Sequence, residues 1–257
     1  MARVSGKVAL ISGGARGLGA AQARLLAQEG AGVVVGDVLD DEGKALAEEL
    51  VEGVRFVHLD VTKLEDWEAA VSNAVDSFGG LDILVNNAGI VNFGTIEEYA
   101  VEAWNTVIAI NLTGAFLGIK AATPALIKSG AASIINISST AGLHGYEALP
   151  GYTASKFGLR GLTKAVALDL ARYNVRVNSV HPGAIRTPMT EGLDLPQNHV
   201  ALHRIGEPIE VANLVLFLAS NESSFSTGAE FVTDGGETAG LAHYTDDVPW
   251  GTAAESL

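Results

Sequence analysis

A chain of 257 residues, 48% hydrophobic and 18% charged, has enough apolar mass for one large α/β domain. Its formal net charge of -14 argues against a nucleic-acid partner, because neutralising phosphates requires a basic surface. The absence of cysteine excludes disulfides, thiol nucleophiles and thiolate-metal sites, and agrees with a cytoplasmic location. The opening "MARVSGKVALISGG" meets glycines too soon for a signal segment, and no run is expected to reach membrane-spanning length.

Short β-branched runs then alternate with helical patterns. The strand-like runs are "KVALIS" (7–12), "GVVVGD" (32–37), "VRFVHLD" (54–60), "LDILVNN" (81–87), "ASIINISS" (132–139), "VRVNSVHP" (175–182) and "AEFVTDGG" (229–236). Several are apolar at consecutive positions, as in parallel strands buried on both faces. Helical patterns such as "LGAAQARLLAQEG" and "LEDWEAAVSNAVDSFG" lie between them. The alternation predicts an α/β fold: a doubly wound, Rossmann-type parallel sheet of about seven strands with helices on both faces. No linker or repeat divides it, so residues 1–257 are expected to form a single domain.

Two segments interrupt the alternation. Residues 186–208 are long and irregular and follow a strand end, where open α/β sheets bind ligands, so they are expected to form a substrate lid. The tail, 240–257, lacks helical periodicity and is expected to lie along the surface or against a neighbouring subunit. His199 and His203 share a helical spacing, yet no glutamate within the motif completes a metal site, and none is expected. His181 is expected to be structural, and Trp67 and Trp104 to be packing residues.

The first strand runs into "SGGARGLGAAQARLL", with Gly13, Gly17 and Gly19 at a strand–turn–helix transition. Missing side chains there let backbone N–H groups approach a pyrophosphate at a helix N-terminus. Asp37 closes the second strand, where a carboxylate can accept hydrogen bonds from an adenosine ribose. Asp40, Asp41 and Glu42 follow, and so much negative charge disfavours a 2′-phosphate; Arg16 in the glycine turn is the opposing signal. Tyr152 and Lys156 are four residues apart and share a helix face. A nearby ammonium favours phenolate and draws a phenol toward the pKa needed of a base.

Together "SGGARGLG", "NNAG" (86–89), "NISS" (136–139), "YTASK" (152–156) and "HPG" (181–183) resemble, in order and spacing, the short-chain dehydrogenase/reductase family. The likeness covers about residues 5–240, and Ser12 replaces the family's usual Thr. Further stretches, among them "DVLDDEG" and "INLTGAFLG", are similar to bacterial 3α,20β-hydroxysteroid dehydrogenases. The resemblance implies that Tyr152 is the catalytic acid/base, that Lys156 lowers its pKa and binds the nicotinamide ribose, and that Ser139 holds the substrate oxygen. Asn111 matches the helix-interrupting residue that anchors a relay water. Gly13, Arg16, Gly17, Leu18 and Gly19 would line the pyrophosphate site, Asp60 and Val61 the adenine, and Asn87, Ala88 and Gly89 the riboses. Pro182, Gly183, Ile185 and Thr187 match the segment that fixes the nicotinamide.

The expected function is an NAD(H)-dependent oxidoreductase that interconverts a secondary alcohol and a ketone on an apolar, cyclic substrate such as a hydroxysteroid. Leu143, Tyr146, Leu149, Met189, Leu193 and Leu195 motivate the apolar substrate, since they follow the strands that carry Ser139 and Pro182. A 3-oxoacyl-thioester reductase of the same family is the alternative, and a non-catalytic dinucleotide-binding protein is a third. The family likeness also implies a homotetramer built partly on helices near 101–128 and 151–172.

Overall fold

The computed structural model describes residues 2–50 and 53–240. Seven strands form one sheet in the order β3-β2-β1-β4-β5-β6-β7. They are β1 (Val8–Ser12), β2 (Gly32–Asp37), β3 (Val54–His58), β4 (Ile83–Asn86), β5 (Ser133–Ile137), β6 (Arg176–Pro182) and β7 (Glu230–Thr233). Every pairing is parallel. This is the expected Rossmann-type architecture; β2 matches its apolar run and the other strands are one to four residues shorter than theirs, because flanking positions leave the ladder to form loops.

Parallel strands need long crossovers, and helices supply them on both faces. One face carries α1 (Gly17–Gln28), α2 (Asp40–Glu49) and α7 (Pro208–Ala219). The other carries α3 (Leu64–Phe78), α5 (Gly114–Ser129) and α6 (Pro150–Leu170). Strand alternation divides the core accordingly: Ala9 and Ile11 of β1 pack with Leu26 and Val215, whereas Val8 and Leu10 pack with Trp67, Leu126 and Leu170. Trp67 is wholly buried and donates its indole N–H to the Val61 carbonyl at 3.1 Å, so its truncation to alanine should cost about 3–5 kcal/mol. Trp104 departs from the packing expectation. It is 39% exposed on α4 (Val101–Ile108), because that helix faces the core through Val107 instead.

A further expectation also needs correction. A π-helical turn, Ala109–Thr113, joins α4 to α5, and the resulting helix Val101–Ser129 is long and apolar enough, by length and composition, to cross a membrane. Globular core helices meet the same criterion, and here Val107, Ile119, Ala122 and Leu126 are buried within the fold. The π-turn lets the helix continue through Asn111, in keeping with the long helix expected near 101–128.

The strand order reverses between β1 and β4, since β2 and β3 lie on one side and β4 to β7 on the other. At such a switch point the loops leaving adjacent C-terminal ends diverge, and the crevice between them receives ligands. The segment 186–208 begins beside that crevice, and an isolated parallel bridge between Ile185 and Gly206 holds its two ends together. Beyond Gly240, the expected tail lies outside the described residues.

Candidate active site

The glycine turn opens the crevice. Gly13 and Gly17 have φ of +62° and +57°, the left-handed region that side chains other than glycine's rarely adopt. A Cβ on Gly13 would also stand 2.7 Å from the Ala88 backbone, so the turn packs directly on the "NNAG" loop. Ser12 ties the two together: its hydroxyl accepts the N–H groups of Asn87 and Ala88 at 3.1 and 3.2 Å. Serine in place of threonine therefore still supplies the hydroxyl. Asn87 completes the clamp by donating to the Ser12 and Gly13 carbonyls.

A cavity of about 600 Å³ extends from this turn along the C-terminal ends of the strands. Gly13, Arg16, Gly17 and Leu18 line it at the turn, then Asp37, Asp60 and Val61 at one end and Asn87, Ala88 and Gly89 at its middle. At the far end stand Ser139, Tyr152, Lys156, Pro182, Gly183, Ile185 and Thr187. Gly19 and Asn111 are set behind the wall. A Cβ on Gly19 would lie 2.2 Å from the Gly13 carbonyl, so that glycine serves close packing of helix on turn. Of the six expected substrate-contact residues only Met189 lines the cavity, joined by Val38, Ile90, Pro188 and Thr190, which the sequence reading did not single out. No periodicity marks such loop positions, because the folded path of each loop alone brings them to the cavity.

The residues fit a dinucleotide. Asp37 is buried and accepts the N–H groups of Ala15 and Leu39 at 3.0 and 3.1 Å, so the carboxylate is fixed and retains lone pairs for a ribose diol. Arg16 is exposed, and among the described residues it makes no ion pair with Asp37. Lys156 is buried against the other end of the cavity. Its ammonium donates to the Ile137 carbonyl at 2.9 Å, leaving donors available to a second ribose.

Tyr152 and Lys156 lie on one face of α6, with the ammonium 5.5 Å from the phenol ring centroid. Burial raises the Tyr152 phenol above its ordinary value, against which a hydrogen bond with Ser139 acts. Burial pushes the Lys156 ammonium down to about 8. In the protein alone, therefore, desolvation is the largest influence on both groups. Ser139 also accepts the Ala141 N–H at 3.1 Å, so it both caps a turn and faces the phenol. Two groups hold it and α6 in place. His181, fully buried, makes a 2.9 Å contact from Nδ1 to the Ser139 carbonyl, consistent with a structural role. Ser138 donates to the Lys156 carbonyl at 3.2 Å.

Asn111 sits in the π-turn, where the register shift turns its side chain inward. It accepts from the Ile90 N–H at 2.9 Å and donates to the Ile90 carbonyl and the Ser155 hydroxyl. It thus binds the "NNAG" loop to the helix that carries Tyr152, a stronger constraint than back-bonding within its own helix. A buried chain from Asn86 through Asn136 to Thr163 joins β4, β5 and α6 in the same way. Its members are far apart in sequence, so spacing alone does not reveal it.

A family model described as Enoyl-(Acyl carrier protein) reductase matches residues 13–238. The chain is 58% identical to the 3-alpha-(or 20-beta)-hydroxysteroid dehydrogenase of Mycobacterium tuberculosis, over 94% of this chain and 93% of that one. It belongs to the short-chain dehydrogenase/reductase family. It is also 56% identical to the trans-4-hydroxycyclohexanecarboxylate dehydrogenase of Sinomonas cyclohexanicum, over 93% of this chain and 95% of that one. Identity to the cyclopentanol dehydrogenase of Comamonas testosteroni is 44%, over 93% of this chain and all of that one. The chain is accordingly a short-chain alcohol dehydrogenase, and its family implies a nicotinamide dinucleotide cofactor.

Proposed function

We propose that this protein is an NAD-dependent dehydrogenase that interconverts a secondary alcohol and a ketone on an apolar cyclic substrate such as a hydroxysteroid. The observation that carries the reading is one cavity with Asp37 at one end and Ser139, Tyr152 and Lys156 at the other. The bound dinucleotide supplies the hydride acceptor or donor. Asp37 orients it by accepting from a ribose diol, and its charge, with the acidic first turn of α2 beside it, opposes a 2′-phosphate.

In oxidation, the Tyr152 oxygen takes the hydroxyl proton of the alcohol; in reduction it returns that proton to the ketone oxygen. Ser139 donates a hydrogen bond to the same substrate oxygen and stabilises negative charge as it develops there. The Lys156 ammonium adds positive charge close to the phenol and, when the cofactor is bound, opposes the desolvation that raises the phenol. Asn111 anchors a water that leads protons from Lys156 toward solvent, and 186–208 closes over the substrate with Met189 at its inner side.

The relatives named for a hydroxysteroid, a hydroxycyclohexanecarboxylate and cyclopentanol support a cyclic carbinol. The net charge of -14 speaks against the thioester-reductase reading, which needs a basic surface for an acidic carrier. A homotetramer in the cytoplasm is part of the proposal. Exposed Trp104, Phe116, Phe157 and Leu168 on α4, α5 and α6 support the assembly. The deciding experiment is a screen of steroid, cyclic and acyclic alcohols with NAD and again with NADP. Turnover of cyclic secondary alcohols with NAD is expected; equal efficiency with NADP, or turnover of thioesters alone, overturns the proposal.

A further inference from the structure

The strand ladder stops one residue short of Ser139. The Ser138 N–H donates to the Val180 carbonyl at 2.8 Å, and beyond that bond β5 and β6 part. A side chain carries the connection one residue farther. His181, fully buried on β6, has its Nδ1 2.9 Å from the Ser139 carbonyl and its Nε2 2.9 Å from the Ser179 hydroxyl. The charged groups that act on the ring are Lys156 and Arg160 of α6 and Glu230 of β7.

These partners fix the tautomer. A carbonyl only accepts, so Nδ1 carries the proton. Burial depresses the imidazole below its ordinary value, which leaves it neutral at neutral pH with only a lone pair on Nε2. The Ser179 hydroxyl donates to that lone pair. Its other neighbour, the Ala229 carbonyl, is 3.5 Å away and already accepts the Ser179 N–H at 3.0 Å.

The ring thereby joins two parts of the site. The Ser139 carbonyl also accepts the Gly142 N–H at 2.9 Å, and the same turn supplies the Ala141 N–H that the Ser139 hydroxyl accepts. Rotating that peptide would carry the hydroxyl away from Tyr152, with which it hydrogen-bonds. In the other direction, the His181 backbone leads directly into Pro182 and Gly183, which line the cavity. One residue holds Ser139 by its ring and the expected nicotinamide segment by its backbone.

We propose that His181 is a positioning residue: it sets the spacing between Ser139 and the nicotinamide segment, and so governs the chemical step and not cofactor affinity. The proposal rests on the secondary-alcohol reading above, in which Ser139 holds the substrate oxygen. A misplacement of about 1 Å can cost about 10²-fold in rate, so a small loss of alignment has a large kinetic effect.

Asparagine and glutamine separate this role from plain packing. Asparagine carries its amide nitrogen where the imidazole has Nδ1, whereas glutamine reaches the Nε2 position instead. With cyclohexanol as substrate, His181→Gln should lower kcat by about tenfold or more, while KM for NAD and the affinity for NADH stay within about twofold. His181→Asn should recover kcat to within about threefold of wild type. A space-filling role predicts the opposite order, since glutamine is nearer to histidine in volume. An undiminished kcat in folded His181→Gln, a loss in His181→Asn as large or larger, or a loss confined to cofactor affinity overturns the proposal. Neutron diffraction from the wild-type protein with NADH gives a second readout that stands even where a variant does not fold. It should place the His181 proton on Nδ1, and a proton on Nε2 also overturns the proposal. Wild-type kcat in Ser139→Ala, or no turnover of cyclohexanol by the wild type, defeats the secondary-alcohol reading itself and this proposal with it.

Discussion

Replacing Lys156 by methionine should stabilise the protein in the absence of cofactor while removing its activity. The ammonium is buried, and desolvation pushes it from 10.5 down to about 8. Keeping it charged at neutral pH therefore costs roughly 3 kcal/mol, at about 1.4 kcal/mol per pKa unit. Methionine has a similar unbranched shape and carries no charge. The substitution leaves the Ile137 carbonyl without its 2.9 Å donor, which returns about 1–2 kcal/mol of that gain. The net expectation is a stabilisation of about 1–2 kcal/mol, or roughly 2–8 °C in Tm for a chain of this size.

The same argument has a pH signature. A lysine whose folded pKa is depressed binds fewer protons folded than unfolded, so the wild-type protein gains stability as pH rises from about 8 to 10.5. The advantage of Lys156→Met should thus be fullest below pH 8 and vanish above the unfolded value. Calorimetry or denaturant unfolding of both proteins without cofactor, across that window, measures it. A variant no more stable than wild type at pH 7, or an advantage that grows with pH, would refute the reasoning.

Three other outcomes are expected. Tyr152→Phe should lower kcat by about 10²–10⁴-fold with the fold intact, and Ser139→Ala by about 10²–10³-fold, as measured by steady-state kinetics beside NADH binding. Asp37→Ala should raise KM for NAD by about tenfold or more and bring NADP within reach, because it removes a ribose acceptor and a negative charge together. Because burial raises Tyr152, the base form accumulates only as pH rises. Alcohol oxidation should increase with rising pH and ketone reduction hold until the pH passes the ordinary phenol value of about 10, and kcat/KM profiles that run the other way would exclude Tyr152 as the acid/base.

Several parts of the site are local and so were legible in the chain. Gly13 and Gly17 need left-handed backbone immediately after an apolar strand, Asp37 ends the next strand, and Tyr152 and Lys156 share a helix face four residues apart. The strand alternation also separates the two cores residue by residue, as Ala9 and Ile11 part from Val8 and Leu10. Trp104 was misread because an apolar residue in a helical pattern does not declare which way its face turns. A π-turn holds the polar Asn111 inward without ending the helix Val101–Ser129, and the sequence does not mark that turn.

Fold class, the nucleotide-binding turn and the Tyr152–Lys156 pair follow from the sequence by itself, because each depends on residues within one element or one turn of another. Only the tertiary structure decided how those pieces meet. It set the order β3-β2-β1-β4-β5-β6-β7, which opens the crevice, and it placed Asn111 against Ile90 and His181 against the Ser139 carbonyl. It also brought Glu237, Tyr146 and His199 from three loops to one point. Those contacts join segments tens of residues apart, and loops have no period from which their meeting could be read. Packing selects them, and the chemistry around the substrate depends on them.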